Sequence, residues 1–192
     1  MSKKALLWDY VKSIIAALIF AFIFRATVVG AFEIPSGSML PTLQIGDRLL
    51  VDKLAYRFRK PERFEIIVFE DPQRPDRDLI KRIIALPGET LEIRNRAVYI
   101  NNAPLADAAF AHHTDPGWDR VPMRDDYGPV TVPPGSYFMM GDNREDSADS
   151  RVWGFLGQER IIGRAFILYW SRNTDRTFPA EIRWERFGKL LG

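Results

Sequence analysis

The sequence predicts a mainly β fold, with antiparallel sheets or a barrel, and one transmembrane helix at its N-terminal end. Two observations support this fold class. After residue 46, short apolar runs recur between turns rich in Gly and Pro, a pattern typical of antiparallel β structure. Between residues 13 and 24, the chain is strongly apolar and carries no charge. The predicted parts are a short N-terminus (1–9), an anchor (10–29) and a β-domain (30–192) with an insertion around 103–129.

Composition excludes several classes of function. The 27 basic and 25 acidic residues leave a net charge of only +2, so nucleic acid is not an expected partner. Cysteine is absent, which excludes disulfides, thiolate metal sites and a cysteine nucleophile. Neither a metal nor an organic cofactor is expected. The two histidines, His112 and His113, are neighbours in a polar loop and are a poor source for the base of a Ser-His-Asp triad.

The first apolar segment has the length of a membrane anchor. The run Ser13–Phe24 carries no charge, and a span from Tyr10 to Val29 reaches the roughly 20 residues that cross a bilayer, provided that Lys12 and Arg25 snorkel to the interfaces. Basic residues precede the span, so the short N-terminus is expected in the cytoplasm and the β-domain on the far side.

Two alternatives for this segment are weaker. A cleaved signal peptide would need small residues at the cleavage position, where Arg25 stands instead. A buried core helix would show a polar face, but this segment is apolar on all sides.

The remaining elements follow in order along the chain. The stretch FEIIVFED reads as a strand, DLIKRIIALPGETLEI as two strands around a Pro-Gly turn, and AVYINNAPL as a hairpin. A further strand is predicted within GPVTVPPGSYFMMGDN, and the last one in RIIGRAFILYW. We find no internal repeat and no low-complexity segment.

Two small hydroxyls and one lysine are the candidates for nucleophilic chemistry. Ser36 and Ser38 lie in the proline-flanked loop FEIPSGSMLPTL, and Lys81 lies among apolar residues in a strand. Strand periodicity places Lys81 and Arg82 on opposite faces. A buried lysine has a lowered pKa and can accept a proton from serine, as in Ser-Lys dyads. Periodicity alone leaves open that Lys81 is a solvated residue on a sheet face.

A polar loop, GDNREDSADSRVWGF, follows the strand that ends near residue 140. Its side chains could cap an ordinary surface turn, and Asp149 could pair with Arg151. Calcium is the rival interpretation because the loop offers several oxygen ligands. The ligand spacing differs from that of an EF-hand, and two arginines interrupt the loop, so a calcium site is disfavoured.

Taken together, these stretches resemble bacterial type I signal peptidases, also called leader peptidases. The resemblance rests on four motifs in order after an anchor: PSGSMLPTL, GDRLLVDKLAYRF, IKRIIALPGE and GDNREDSADSRVWGF. It covers roughly residues 25–170. It implies a membrane-bound serine endopeptidase with a Ser-Lys dyad that removes signal peptides from exported preproteins after Ala-x-Ala sites. Such an enzyme is expected in the bacterial cytoplasmic membrane, with its catalytic domain on the extracytoplasmic side. It is expected to be a monomer.

The resemblance also implies a role for each matching residue. Ser38 matches the nucleophile, Lys81 the general base, Ser36 an oxyanion-hole hydroxyl and Ser147 a hydroxyl that orients the lysine amine. The supporting residues are Gly141, Asp142, Asn143, Asp149 and Arg151. The residues that match the lining of small apolar substrate pockets are Phe32, Ile34, Met39, Leu43 and Ile80.

Two other functions fit the sequence less well. A self-cleaving Ser-Lys repressor of related fold would need a DNA-binding domain where this chain has its apolar segment. A membrane-tethered β-domain that only binds partners would leave the set of serines and lysine unexplained. Conjugation-linked relatives share the Ser-Lys arrangement, but the motif GDNREDSADSRVWGF favours the general peptidase. No role is predicted for the insertion or for His112 and His113.

Overall fold

We describe the protein from a computed structural model that covers residues 3–114, 123–173 and 181–191, with side chains in the first helix given for residues 8–22 and 27. The helices are α1 (Lys3–Thr27), α2 (Ala55–Phe58) and α3 (Ser150–Trp153). The first strands are β1 (Val29–Glu33), β2 (Asp47–Asp52), β3 (Ile66–Glu70), β4 (Asp78–Ala85), β5 (Thr90–Arg94) and β6 (Ala97–Ile100). The others are β7 (Ala103–Pro104), β8 (Tyr127–Thr131), β9 (Ser136–Met140), β10 (Leu156–Gly157) and β11 (Ile161–Ser171).

The strands form two antiparallel sheets. The larger has seven strands in the order β1-β2-β11-β3-β4-β9-β10, and the smaller has four in the order β7-β6-β5-β8. Both orders have two ends, so the described strands form open sheets rather than the barrel alternative. The prediction of a mainly β, antiparallel fold is confirmed.

The predicted strands are found with one correction. The stretch GPVTVPPGSYFMMGDN forms two strands, β8 and β9, which belong to different sheets. Pro133 and Pro134 explain the break, because proline lacks the N–H that a continuous strand would donate, and Gly135 turns the chain with a φ of 71°. The predicted hairpin turns at Asn101 and Asn102, both with positive φ, as a tight hairpin turn requires.

Helix α1 occupies most of the segment predicted as an anchor at 10–29. It ends at Thr27, and Val29 already belongs to β1. The predicted membrane crossing is not confirmed: within the described residues, no helix is long and apolar enough to span a bilayer. Part of the predicted insertion, residues 115–122, lies outside the described residues. Its flanks include β7 and the start of β8.

Three buried apolar clusters hold the sheets together. One lies beneath β1, β2 and β11 and includes Ile34, Met39 and Leu43 from the loop between β1 and β2. A second joins the four-stranded sheet to β4 and β9, and a third fills the space around β3, β9 and β10. Because strand β4 is covered on both faces, its residues from Lys81 to Ala85 are all buried.

Candidate active site

The loop between β1 and β2 presents Ser38 inside the molecule. Its backbone turns tightly, with the Leu40 N–H donating to Gly37 O at 3.1 Å and the Leu43 N–H to Met39 O at 2.9 Å. These turns anchor Met39 and Leu43 in the core and leave Ser38 only 8% exposed. The Ser38 hydroxyl is therefore shielded from bulk water, and the hydrogen-bonded loop around it fixes its position.

Strand β4 brings Lys81 to this hydroxyl. Lys81 Nζ and Ser38 Oγ are joined by a hydrogen bond of 2.6 Å across 43 residues of sequence. Lys81 is 3% exposed, and burial lowers its pKa from 10.5 to about 8. Desolvation disfavours the ammonium, so a large share of the amine is neutral near pH 8 and can accept a proton. The structure therefore places Lys81 in the core rather than on a solvated sheet face.

Of the carboxylates that act against this shift in pKa, the two with the largest effect each have their own cation. Asp149 and Asp142 both raise the pKa of Lys81, whereas burial lowers it by more. Asp149 is paired with Arg151 at 2.8 and 2.9 Å, and Asp142 with Arg82 at 2.6 and 2.8 Å. Because these charges are neutralised locally, neither carboxylate needs the lysine as its counterion.

The loop after β9 holds the nucleophile loop in place. The Asn143 N–H donates to Ser38 O at 3.1 Å, and Asn143 Nδ2 donates to Gly37 O at 3.2 Å. The Gly141 N–H donates to Asp149 Oδ2 at 3.0 Å. A Cβ at Gly141 would lie 2.4 Å from Ser38 O and 2.3 Å from Ser147 Oγ. Glycine is required there because the two loops approach each other too closely for a side chain.

The predicted contact of the Ser147 hydroxyl with Lys81 is not present in the structure. The Ser147 Oγ is buried but has no hydrogen-bond partner, so it makes no bond to Lys81. It nevertheless lies beside Ser38, because both contact the position of a Gly141 side chain. Ser36 is exposed at the rim of the loop, two residues before Ser38.

The five predicted pocket residues come together in one cluster. Ile34, Met39 and Leu43 are buried members of it, and Phe32 and Ile80 pack against it while remaining partly exposed. Ile80 directly precedes Lys81, and Met39 directly follows Ser38. The nucleophile loop and β4 thus each supply a residue of this apolar cluster next to a dyad residue in the chain.

The sequence reasoning missed the interactions of Arg82. Its guanidinium binds both oxygens of Asp142, donates to Phe64 O at 2.7 Å and stacks 4.2 Å from the centroid of Phe110. The alternation of β4 gave a signal, since Lys81 and Arg82 must face opposite sides. The partner could not be predicted because it lies 60 residues away.

The two histidines pack against the loop after β9. The His112 N–H donates to Asp142 O at 2.7 Å, and the Arg144 N–H donates to His112 O at 3.0 Å. His113 Nδ1 lies 2.6 Å from Glu145 Oε1. Both residues thus brace the loop that carries Asp142 and Asn143. Within the described ranges, no three His, Asp or Glu side chains are grouped as metal ligands.

A buried hydroxyl beside a neutralisable amine, with apolar surface next to it, has the geometry of a serine hydrolase whose base is lysine. The family model of signal peptidases, peptidase S26, matches residues 7–170. The chain therefore belongs to the signal peptidase family, peptidase S26, and it is a serine endopeptidase.

Named relatives agree with the family. A probable signal peptidase I-2 of Synechocystis sp. is 42% identical over 83% of this chain and 71% of its own length. A probable signal peptidase I-1 of the same organism is 41% identical over 95% of this chain and 90% of its own length. The signal peptidase I of Leptolyngbya laminosa is 39% identical over 87% and 81%. These relatives support removal of signal peptides as the activity.

Proposed function

We propose that this protein cleaves signal peptides from exported preproteins with a Ser38-Lys81 dyad, after small residues in Ala-x-Ala sites. The observation that carries the proposal is the 2.6 Å hydrogen bond between a buried serine hydroxyl and a buried lysine amine. In this mechanism, neutral Lys81 takes the proton of Ser38 as Oγ attacks the scissile carbonyl. The lysine then gives the proton to the leaving amine, and water hydrolyses the acyl-enzyme by the same route.

The remaining site residues support the two reacting groups. The Ser38 N–H and the Ser36 hydroxyl would bind the oxyanion that forms on the carbonyl oxygen. Ser147 would orient the Lys81 amine once substrate is bound, from its position beside Ser38. Gly141, Asp142, Asn143, Asp149 and Arg151 would hold the two loops in register.

The specificity for small residues follows from the apolar cluster beside the dyad. Phe32 and Ile80 are partly exposed, and the side chains behind them are fully packed. Shallow apolar depressions accept an alanine methyl and reject larger groups, because a packed core does not yield space without strain. An extended substrate would add as a strand beside β1, at the edge of the seven-stranded sheet, or beside the start of β4 at 78–81, which pairs with β3 but not with β9.

We further propose that the protein works at a lipid surface through α1. Exposed apolar side chains are spread around this helix, among them Trp8, Ile14, Leu18, Phe20 and Phe22. Such a surface is costly in water and suits contact with lipid. Flotation of the protein with phospholipid vesicles tests the idea. If the vesicles float and the protein does not float with them, the idea is contradicted.

The proposed activity is tested by cleavage of a secretory preprotein in detergent by the wild type, Ser38→Ala and Lys81→Ala, each checked for folding by thermal melting. We expect the wild type to cut after an Ala-x-Ala site and both folded variants to be inactive. A folded Lys81→Ala that cuts at the full rate would refute lysine as the base. A folded wild type that cuts no preprotein would refute the function.

A further inference from the structure

The segment 183–191, which we call the return segment, runs back along β11 toward the active site. The Gly188 N–H donates to Leu168 O and the Leu168 N–H to Lys189 O, each at 2.9 Å. The Leu191 N–H donates to Phe166 O at 3.0 Å. This segment therefore packs against the strand that lies next to β2, at the end of the nucleophile loop.

Two arginines of the return segment bind the nucleophile loop. Arg186 holds both oxygens of Asp47, at 2.5 and 3.1 Å, and donates to Thr42 O at 2.9 Å. Arg183 donates to Ile45 O at 2.8 Å. Asp47 is fully buried, so its pair with Arg186 is shielded from water and from salt. The main chain on either side of Leu43 is thereby fixed to the return segment.

Leu191 continues this contact into the core. It is 4% exposed and belongs to the same buried cluster as Ile34, Met39 and Leu43. These three are the residues that the proposed function places at the base of the substrate pockets. A side chain far away in sequence thus belongs to the same buried core as these three residues.

We propose that the return segment sets the depth of the substrate pocket, with Leu191 as a specificity-determining residue and Arg186 as a positioning residue. This inference rests on the proposed function. Removing the Leu191 side chain leaves a void in the cluster that contains Met39 and Leu43, because surrounding core atoms relax only in part. The two side chains can then move back, and the pocket accepts residues larger than alanine.

The test compares Leu191→Ala with Leu91→Ala, the same change in the buried core of the four-stranded sheet. The full-length enzyme in detergent is given two preproteins that differ only in having Ala or Val immediately before the cut. One methylene in such a pocket changes selectivity by about 10–200-fold. We expect Leu191→Ala to lower the Ala-to-Val ratio of kcat/KM about tenfold, and Leu91→Ala to leave it unchanged.

Leu191→Val, matched with Leu91→Val, repeats the comparison with a smaller loss of buried volume and keeps the test available where the alanine variant does not fold. Arg186→Lys keeps the charge but cannot hold Asp47 and Thr42 O together, so the same ratio should fall. A lower stability of the enzyme reduces kcat/KM for both preproteins by the same factor and leaves their ratio unchanged. A change in the ratio therefore reports a change in the shape of the pocket.

Wild-type selectivity in the folded Leu191 and Arg186 variants would overturn the inference while leaving the proposed function intact. An equal fall of the ratio in the Leu91 variants would also overturn it. The lower selectivity would then result from removing any buried leucine side chain, not from a change at the substrate pocket. If the wild type cuts neither the Ala preprotein nor the Val preprotein, both this inference and the proposed function are overturned.

Discussion

The two sheets of this protein are both antiparallel, yet they bury different chemistry. The four-stranded sheet buries hydrocarbon, such as Leu91, Ile93 and Val98, and keeps the ion pair of Glu92 with Arg94 in solvent. The seven-stranded sheet and its loops bury charge. Lys81 and the pairs of Arg82 with Asp142 and of Arg151 with Asp149 lie in its interior.

This difference shows where the fold gives up stability for chemistry. A buried ion pair often stabilises no better than a well-packed apolar pair, and a buried amine opposite a hydroxyl is unfavourable as long as it is charged. The strands of the four-stranded sheet bury only apolar side chains and serve as a support; the one buried carboxylate described in its loops, Asp125, is paired with Arg96 and Arg124. Mutations should therefore affect activity in one sheet and only stability in the other.

The largest expected effect is the loss of either dyad residue. Ser38→Ala and Lys81→Met should each lower kcat/KM by about 10⁴-fold or more, since the remaining site cannot supply a nucleophile or its base. The control, Leu91→Ala, should lower the free energy of unfolding by about 2–5 kcal/mol but keep the activity of the folded fraction. Steady-state kinetics and denaturant unfolding give both quantities. Equal losses of activity in all three variants would abolish the distinction between the sheets.

The next effect concerns the buried ion pair of Arg82. Asp142→Asn leaves a buried guanidinium without its counterion and should cost about 3–5 kcal/mol of unfolding free energy. Glu92→Gln removes a carboxylate from the exposed pair of the other sheet and should leave the melting temperature unchanged. Thermal melting of both variants makes the comparison. A similar shift for both would show that burial does not set the difference.

Ser36→Ala tests the rim of the site. Loss of one oxyanion donor should lower kcat by about 10²–10³-fold without abolishing cleavage. Thr131→Ala, which removes an exposed hydroxyl from the four-stranded sheet, is the matched control and should cleave at the wild-type rate. An unchanged kcat for Ser36→Ala would remove this serine from the site.

The smallest effect is the cost of keeping Lys81 buried. Its pKa falls from 10.5 to about 8, so the folded state binds the proton less tightly than the unfolded chain. This cost is complete below pH 8 and disappears as the pH rises to 10.5. Lys81→Met should therefore raise the free energy of unfolding at pH 7 by about 1–3 kcal/mol, with a smaller gain at pH 10. Lower stability of Lys81→Met at pH 7 would contradict this account.

The strands could be read from the sequence because their apolar runs are separated by strong turn signals. The division into β8 and β9 was missed although Pro133, Pro134 and Gly135 mark it, because the apolar runs on either side of them were taken as one strand. Neither the predicted barrel nor a helix long and apolar enough to span a bilayer is found among the described residues. Sheet membership and closure depend on pairings between distant strands, which a local pattern does not encode.

Only part of the candidate site could be predicted from the sequence. Periodicity could not decide whether Lys81 is buried, because that depends on what covers each face of β4. The resemblance to signal peptidases supplied the pairing with Ser38, and the structure places the two side chains in contact. The partners of Arg82 and the contacts of the return segment were missed, since residues far apart in sequence form them.

The most direct test of the central claim is the pH dependence of kcat/KM for cleavage of a preprotein by the wild type. If neutral Lys81 is the base, activity should rise with pH through a single ionisation near pH 8 and reach a plateau above it. Activity that stays at its plateau well below neutral pH would contradict a lysine base and, with it, the role assigned to the buried dyad.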